Sequence, residues 1–216
     1  MSKKIYINPG HSDKDPGAVG IATERILNVK TAEFMNDYLQ KHYVCQTRMN
    51  PGTVDTTRQV AEDANSWKAD LMVSIHFNAG GGDGYEALVF SDTRVTMGKI
   101  FERQVKQAGQ NSRGVKLRPD LNILRLTNMP AIVNEGAFVD NKADIRDWDQ
   151  DPELEKLGIA YAKAAAEYLK LEVIPQQPEA LYTVQVGAFR EPGSAESMQI
   201  KLKTAGFTGS VVKLTQ

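Results

Sequence analysis

The chain has one cysteine, Cys45, in 216 residues. A single thiol excludes an intramolecular disulfide and a cysteine-rich zinc site. Within the apolar run Tyr43-Val44-Cys45 it reads as a small buried hydrophobe. An excess of either charge is also missing. Lys+Arg is 26 against Asp+Glu 27, a net charge of −1, so no global field exists to hold nucleic acid or an anionic membrane. Partners must be recognised locally. Long hydrophobic runs are absent as well; nothing approaches the ~20 apolar residues that span a bilayer. Lys3-Lys4 resembles the basic start of a secretory signal, but no apolar stretch of about 7–15 residues follows it. The expectation is a product made in the cytoplasm without a signal peptide, which something else must release if its substrate lies outside.

What is present is ordinary globular composition, 41% hydrophobic and 25% charged, at a length that suits one domain plus a small appendage. Ile5–Ile7 is a short β-rich run ending at Asn8-Pro9-Gly10, a turn signal. From Glu24 to about His42, the pairs Leu27/Asn28, Thr31/Ala32, Phe34/Met35 and Tyr38/Leu39 recur at helical spacing. Strands are expected at 43–47, 70–77 and 85–90, and helices through Trp67 (capped by Thr53 or Asp55) and over 94–109. Residues 114–120 read as a connection, and 123–126 and 131–134 as short strands. Leu154, Leu157, Tyr161, Ala164, Tyr168 and Leu171 mark a last long helix. Alternating strands and helices imply an α/β fold, a mainly parallel twisted sheet with helices on both faces. In such sheets the chemistry gathers at the carboxyl ends of the strands.

Residues 1–171 would form this domain and 172–180, with Pro175 and Pro178, a semi-rigid linker. Residues 181–216 read as strand (181–189), helix (194–205) and strand (210–214), a small βαβ unit. A unit of fewer than ~40 residues rarely folds alone.

Histidine is scarce: His11, His42 and His76 are the whole set. His42 ends a helix beside Lys41, where a solvated imidazole suits the helix dipole. His11 and His76 both follow predicted strands and so lie on one edge of the sheet. Neutral imidazoles are zinc ligands, and a catalytic zinc takes three protein ligands and one open position. Glu24, at the start of the first helix, is the stronger choice for the third ligand. Glu135, after the run Ala131–Asn134 and before Gly136, suits a general base. Taken singly, each has a plainer reading as a turn or core histidine or a surface acid. His/Glu/His on separate loops also lacks the regularity of a His-Glu-x-x-His helix. No Gly-x-Gly-x-x-Gly or Gly-x-x-x-x-Gly-Lys-Ser/Thr motif supports a nucleotide-binding alternative.

These residues also carry a resemblance. Asn8-Pro-Gly-His11, Asp15-Pro-Gly17, Glu24, Ser74-Ile-His-Phe-Asn-Ala79, Arg113-Gly-Val115, Ile123-Leu-Arg125 and Met129-Pro-Ala-Ile-Val-Asn-Glu-Gly-Ala-Phe-Val-Asp-Asn141 occur in order. Together they resemble the zinc-dependent N-acetylmuramoyl-L-alanine amidases of the amidase 3 type, found among endolysins, sporulation lysins and division amidases. The resemblance implies Zn2+ held by His11, Glu24 and His76, with Glu135 as catalytic acid/base. It implies as substrate the amide between the lactyl group of N-acetylmuramic acid and L-alanine in peptidoglycan. Asn78, Arg125 and Asn141, within the matching motifs, are expected to touch substrate. Residues from Tyr182 onward resemble half of a SPOR-type peptidoglycan-binding domain, which suggests a homodimer through this segment. The implied setting is cell-wall lysis after release by a phage or a sporulating mother cell. The competing reading is a peptidoglycan-binding module that keeps the fold without catalysis.

Overall fold

The computed structural model describes residues 2–53, 56–175 and 185–212. The chain divides into two units, Met1–Gln176 and Gln177–Gln216.

In the first unit, β1 (Lys3–Pro9), β2 (Cys45–Met49), β3 (Leu71–Asn78), β4 (Tyr85–Val89), β5 (Ser112–Leu117) and β6 (Ala131–Phe138) form one six-stranded sheet. Its order is β2-β1-β3-β6-β4-β5. The first four strands in that order are parallel; β4 runs antiparallel to β6, and β5 parallel to β4. The sheet is thus mixed and mostly parallel. β3 and β6 are buried along nearly their whole length, which is why both read as unbroken apolar runs.

Alternate strand residues face two separate cores. One core joins Ile5, Ile7, Val73, Ile75, Ile132, Tyr85 and Ala87 to α1 (Glu24–His42), α3 (Val95–Ala108) and α6 (Asp151–Leu169). The other joins Tyr6, Met72, Val133 and Leu88 to α2 (Thr57–Ser66) and α4 (Asn122–Arg125), which are shorter. α1 and α6 cross closely enough that a Cβ on Gly158 would lie 2.8 Å from the Thr31 carbonyl oxygen. The buried Asp144 carboxylate, in α5 (Lys142–Ile145), accepts from the Gly84 and Phe138 amides and from Gln110 Nε2. That carboxylate fixes the start of β4 against the end of β6.

Three sequence expectations for the first unit are corrected. Residues 112–117 form the edge strand β5 rather than a connection. Arg113 and Lys116 interrupt its apolar pattern, and Gly114 takes φ 91°, so no strand period is visible in the sequence. Residues 122–125 form one helical turn rather than a strand. Adjacent Ile123 and Leu124 are both buried, which a strand with one buried face does not allow. The second helix is capped by Thr56, whose hydroxyl accepts from the Gln59 amide; Thr53 is not the cap, and Asp55 lies outside the described residues.

In the second unit α7 (Pro192–Thr204) stands where a helix was expected. The two strands expected around it are not seen: residues 185–189 and 210–212 carry no regular structure, while 181–184 and 213–214 lie outside the described residues. No helix among the described residues is long and apolar enough to cross a membrane.

Candidate metal centre

On the face carrying the shorter helices, buried polar residues replace apolar ones toward the carboxyl ends of β1 and β3. Asn8 Nδ2 donates to Ser74 Oγ at 2.8 Å, and Asn50 Nδ2 donates to Asn8 Oδ1 at 2.9 Å. One step beyond this buried layer lie His76 and Glu135, which are register partners on β3 and β6. His11 comes from the loop after β1, and Glu24 from the first turn of α1.

Glu24 is the centre of the cluster. Its Oε2 faces His11 Nε2 at 3.0 Å, and its Oε1 faces His76 Nδ1 at 2.9 Å. Each oxygen also accepts a backbone N–H, from Ala18 at 2.8 Å and from Phe77 at 3.2 Å. Burial would raise the Glu24 pKa, but the two imidazoles and the Ala18 amide outweigh it and hold the carboxyl far below its usual range. Its place in the first turn of a helix also favours the anion. The Glu24 contact pushes His11 up to about 9 against the opposing effect of burial, and Asp15 adds to the rise.

The two imidazole rings meet edge to face, 5.1 Å apart, and one donor atom from each of His11, Glu24 and His76 lies within 4.8 Å of the others. Two imidazoles and a carboxylate are the donor types of a catalytic zinc site. On its far side, His11 Nδ1 lies 2.8 Å from Asp15 Oδ2. That is the carboxylate–histidine pairing that fixes the tautomer of a metal ligand. The cluster therefore fits a divalent cation.

The backbone is shaped around these side chains. A Cβ at Gly10 would lie 2.2 Å from His76 Cε1, and one at Gly17, where φ is 68°, would lie 2.5 Å from Glu24 Oε2. His11 itself sits at φ 66°, in the left-handed region. Arg25 Nη1 donates to the carbonyl oxygens of Pro9 and Gly10, and Asn28 Nδ2 to that of Gly10, so α1 ties down the loop that carries His11. Gly17→Ala is expected to weaken metal affinity about 10–100-fold, the usual weight of a disturbed ligand support. Metal titration checks this, with circular dichroism showing an intact fold.

The Glu135 side chain makes no hydrogen bond or ion pair among the described residues. Burial, helped by the neighbouring Glu24 and Glu86 charges and opposed by His76 and His11, pushes its carboxyl up to about 6. Of the other expected site residues, Asn78 Nδ2 lies 3.4 Å from Glu86 Oε2, on the same polar face. Asn141 donates to the Gly82 carbonyl and caps α5 through the Ala143 amide. Arg125 donates to Asn122 Oδ1 within its own turn. Sequence reasoning did not assign Asp15, Gly10 or Gly17. Asp15-Pro-Gly17, four residues past His11, was the available signal for Asp15.

Comparison with known proteins agrees with this geometry. The N-acetylmuramoyl-L-alanine amidase family Amidase_3 matches residues 5–167, and the SPOR domain family matches 178–216. The chain is 32% identical over 218 residues to the N-acetylmuramoyl-L-alanine amidase CwlM of Bacillus licheniformis, covering 97% of this chain and 84% of that protein. It is 29% identical over 216 residues to the sporulation-specific N-acetylmuramoyl-L-alanine amidase of Bacillus subtilis, with the same coverage of 97% and 84%. The catalytic domain of CwlV, an N-acetylmuramoyl-L-alanine amidase from Bacillus (Paenibacillus) polymyxa, superposes with a TM-score of 0.74 at 24% identity, over 79% of this chain and 99% of that one. The donor cluster and Glu135 both fall within the matched segment, and the chain belongs to the N-acetylmuramoyl-L-alanine amidase family Amidase_3.

Proposed function

We propose that the chain is a zinc-dependent amidase that cuts the bond between the lactyl carbonyl of N-acetylmuramic acid and the amine of L-alanine in peptidoglycan. The observation that carries this reading is the convergence of His11, Glu24 and His76 next to the half-buried carboxyl of Glu135, which has no hydrogen-bond or ion-pair partner among the described residues. Family membership and the names of the relatives support the substrate. A module that only binds peptidoglycan would have no need of this combination.

His11, Glu24 and His76 would hold Zn2+. When bound, the ion supplies Lewis acidity, which acidifies water and polarises a carbonyl. Glu135 acts as the base that takes a proton from the attacking water. A new C–O bond forms at the lactyl carbonyl and the C–N bond breaks. The same carboxyl returns its proton to the departing alanine amine. Burial supports this cycle, because a carboxyl raised to about 6 can both accept and release a proton near neutral pH. Asp15 keeps His11 Nε2 turned inward, and the backbone amides of Ala18 and Phe77 orient Glu24. The test is release of free N-terminal alanine from purified sacculi, abolished by chelation and restored by zinc. New reducing ends without new alanine amines would overturn it.

Residues 181–216 are proposed to bind peptidoglycan and to pair with the same segment of a second molecule through a two-fold contact. The support is uncovered apolar surface: Val186, Phe189, Ile200, Phe207, Val211 and Val212 are all exposed, and α7 buries no residue. Light scattering is expected to show a dimer for the full chain and a monomer for residues 1–174. A monomer in both cases at high micromolar concentration would sink the pairing.

A further inference from the structure

The polar row that begins at the metal cluster continues across the sheet to its edge. His76 on β3 is the register partner of Glu135 on β6, and Glu135 is the partner of Glu86 on β4. Partnered residues share a face. On β5, next to β4, Lys116 pairs in register with Leu88, which lies on the same face as Glu86. Arg113 Nε and Lys116 Nζ each lie 2.5 Å from the same oxygen, Glu86 Oε1.

At the outer end of this row the Glu86 carboxylate is outnumbered by its cations. The Glu86 side chain is 8% exposed, whereas Arg113 and Lys116 are each 42% exposed. One buried carboxylate needs one cation, and here it has two. The Arg113 guanidinium is also fixed in place: its Nε is held by Glu86, and its face lies over the Phe138 ring at 5.3 Å. Its two Nη groups have no acceptor among the described residues. A guanidinium held in this way presents a preorganised fork that suits a carboxylate.

We propose that Arg113, assisted by Lys116, is a specificity-determining subsite for the free α-carboxylate of the second stem-peptide residue. The assignment rests on the amidase reading above. β5 lies two strand spacings from β6, about 9–10 Å. An extended peptide advances ~3.3–3.6 Å per residue, so the second residue after the scissile amide comes within reach of a long arginine side chain. When that residue is a glutamate linked onward through its side-chain carboxyl, its α-carboxylate is unoccupied. The first residue offers only a methyl group, and acids further along the stem overshoot the fork. Glu86 holds the two cations ready and leaves a net positive charge for the ligand.

Binding separates this subsite from turnover. The full chain carrying Glu135→Gln is titrated calorimetrically with three disaccharide-peptides: one with free carboxylates, one amidated at position two, and one amidated at position three. Amidation at position two is expected to weaken binding about 10–100-fold, the weight of a charge-assisted hydrogen bond. Amidation at position three should leave affinity unchanged. Adding Arg113→Gln should erase the preference for the acid, and Lys116→Gln should reduce it; each single change leaves Glu86 one cation. If Arg113→Gln does not fold, the comparison of acid and amide in the parent chain still decides. Equal affinities for acid and position-two amide, sensitivity to position three instead, or no binding of the acid form at millimolar concentration would overturn the assignment. A chain with Glu135 intact that releases no alanine from any of the three would instead refute the amidase reading.

Discussion

Glu135→Gln is expected to leave the metal bound and to slow alanine release from sacculi by ~10²–10⁴-fold, the usual contribution of a positioned acid–base group. The amide is nearly the same size as the carboxyl, and Glu135 makes no hydrogen bond or ion pair that the change would break among the described residues. What it removes is the capacity to take and return a proton. Elemental analysis and the alanine assay on one preparation check both halves. Loss of the metal along with activity would make Glu135 a ligand and demote Glu24.

His76→Ala is expected to abolish both metal binding and activity. Glu24 would keep only His11 as an imidazole neighbour, and two donors do not define a tetrahedral site. His11→Ala should behave in the same way. His42 provides the control: it stacks at 4.2 Å on Tyr38 at the end of α1, and His42→Ala should retain a full complement of zinc. Near-normal cleavage by either His11→Ala or His76→Ala would show that the ligand assignment is wrong.

The metal cluster was legible because each part sits where a local signal places it. Asn8-Pro9-Gly10 ends a strand just before His11, Ser74-Ile75-His76 ends another, and Glu24 opens a helix whose apolar stripe is plain. The row of charges leading away from the cluster was not legible. Arg113 and Lys116 look like the solvated residues of a loop, and β5 has no alternation to show that they stand on an edge strand. Glu86 lies in an apolar-looking strand, and its burial only makes sense once its cations are known. The antiparallel pairing of β4 with β6 was equally hidden, since strand direction comes from long-range pairing and leaves no periodic trace. The one-turn helix at 122–125 is too short for any period to register.

The left-handed backbone at His11 has a consequence for selection. A non-glycine residue at φ 66° costs on the order of 1–2 kcal/mol that glycine would not. Heat-tolerance screens on this chain should nevertheless keep His11 even when they do not score catalysis, because His11→Gly relaxes the loop but leaves the buried Glu24 carboxylate short of one imidazole, the larger loss. Stability alone would then guard this ligand, and directed evolution toward a sturdier amidase is expected to leave the position untouched.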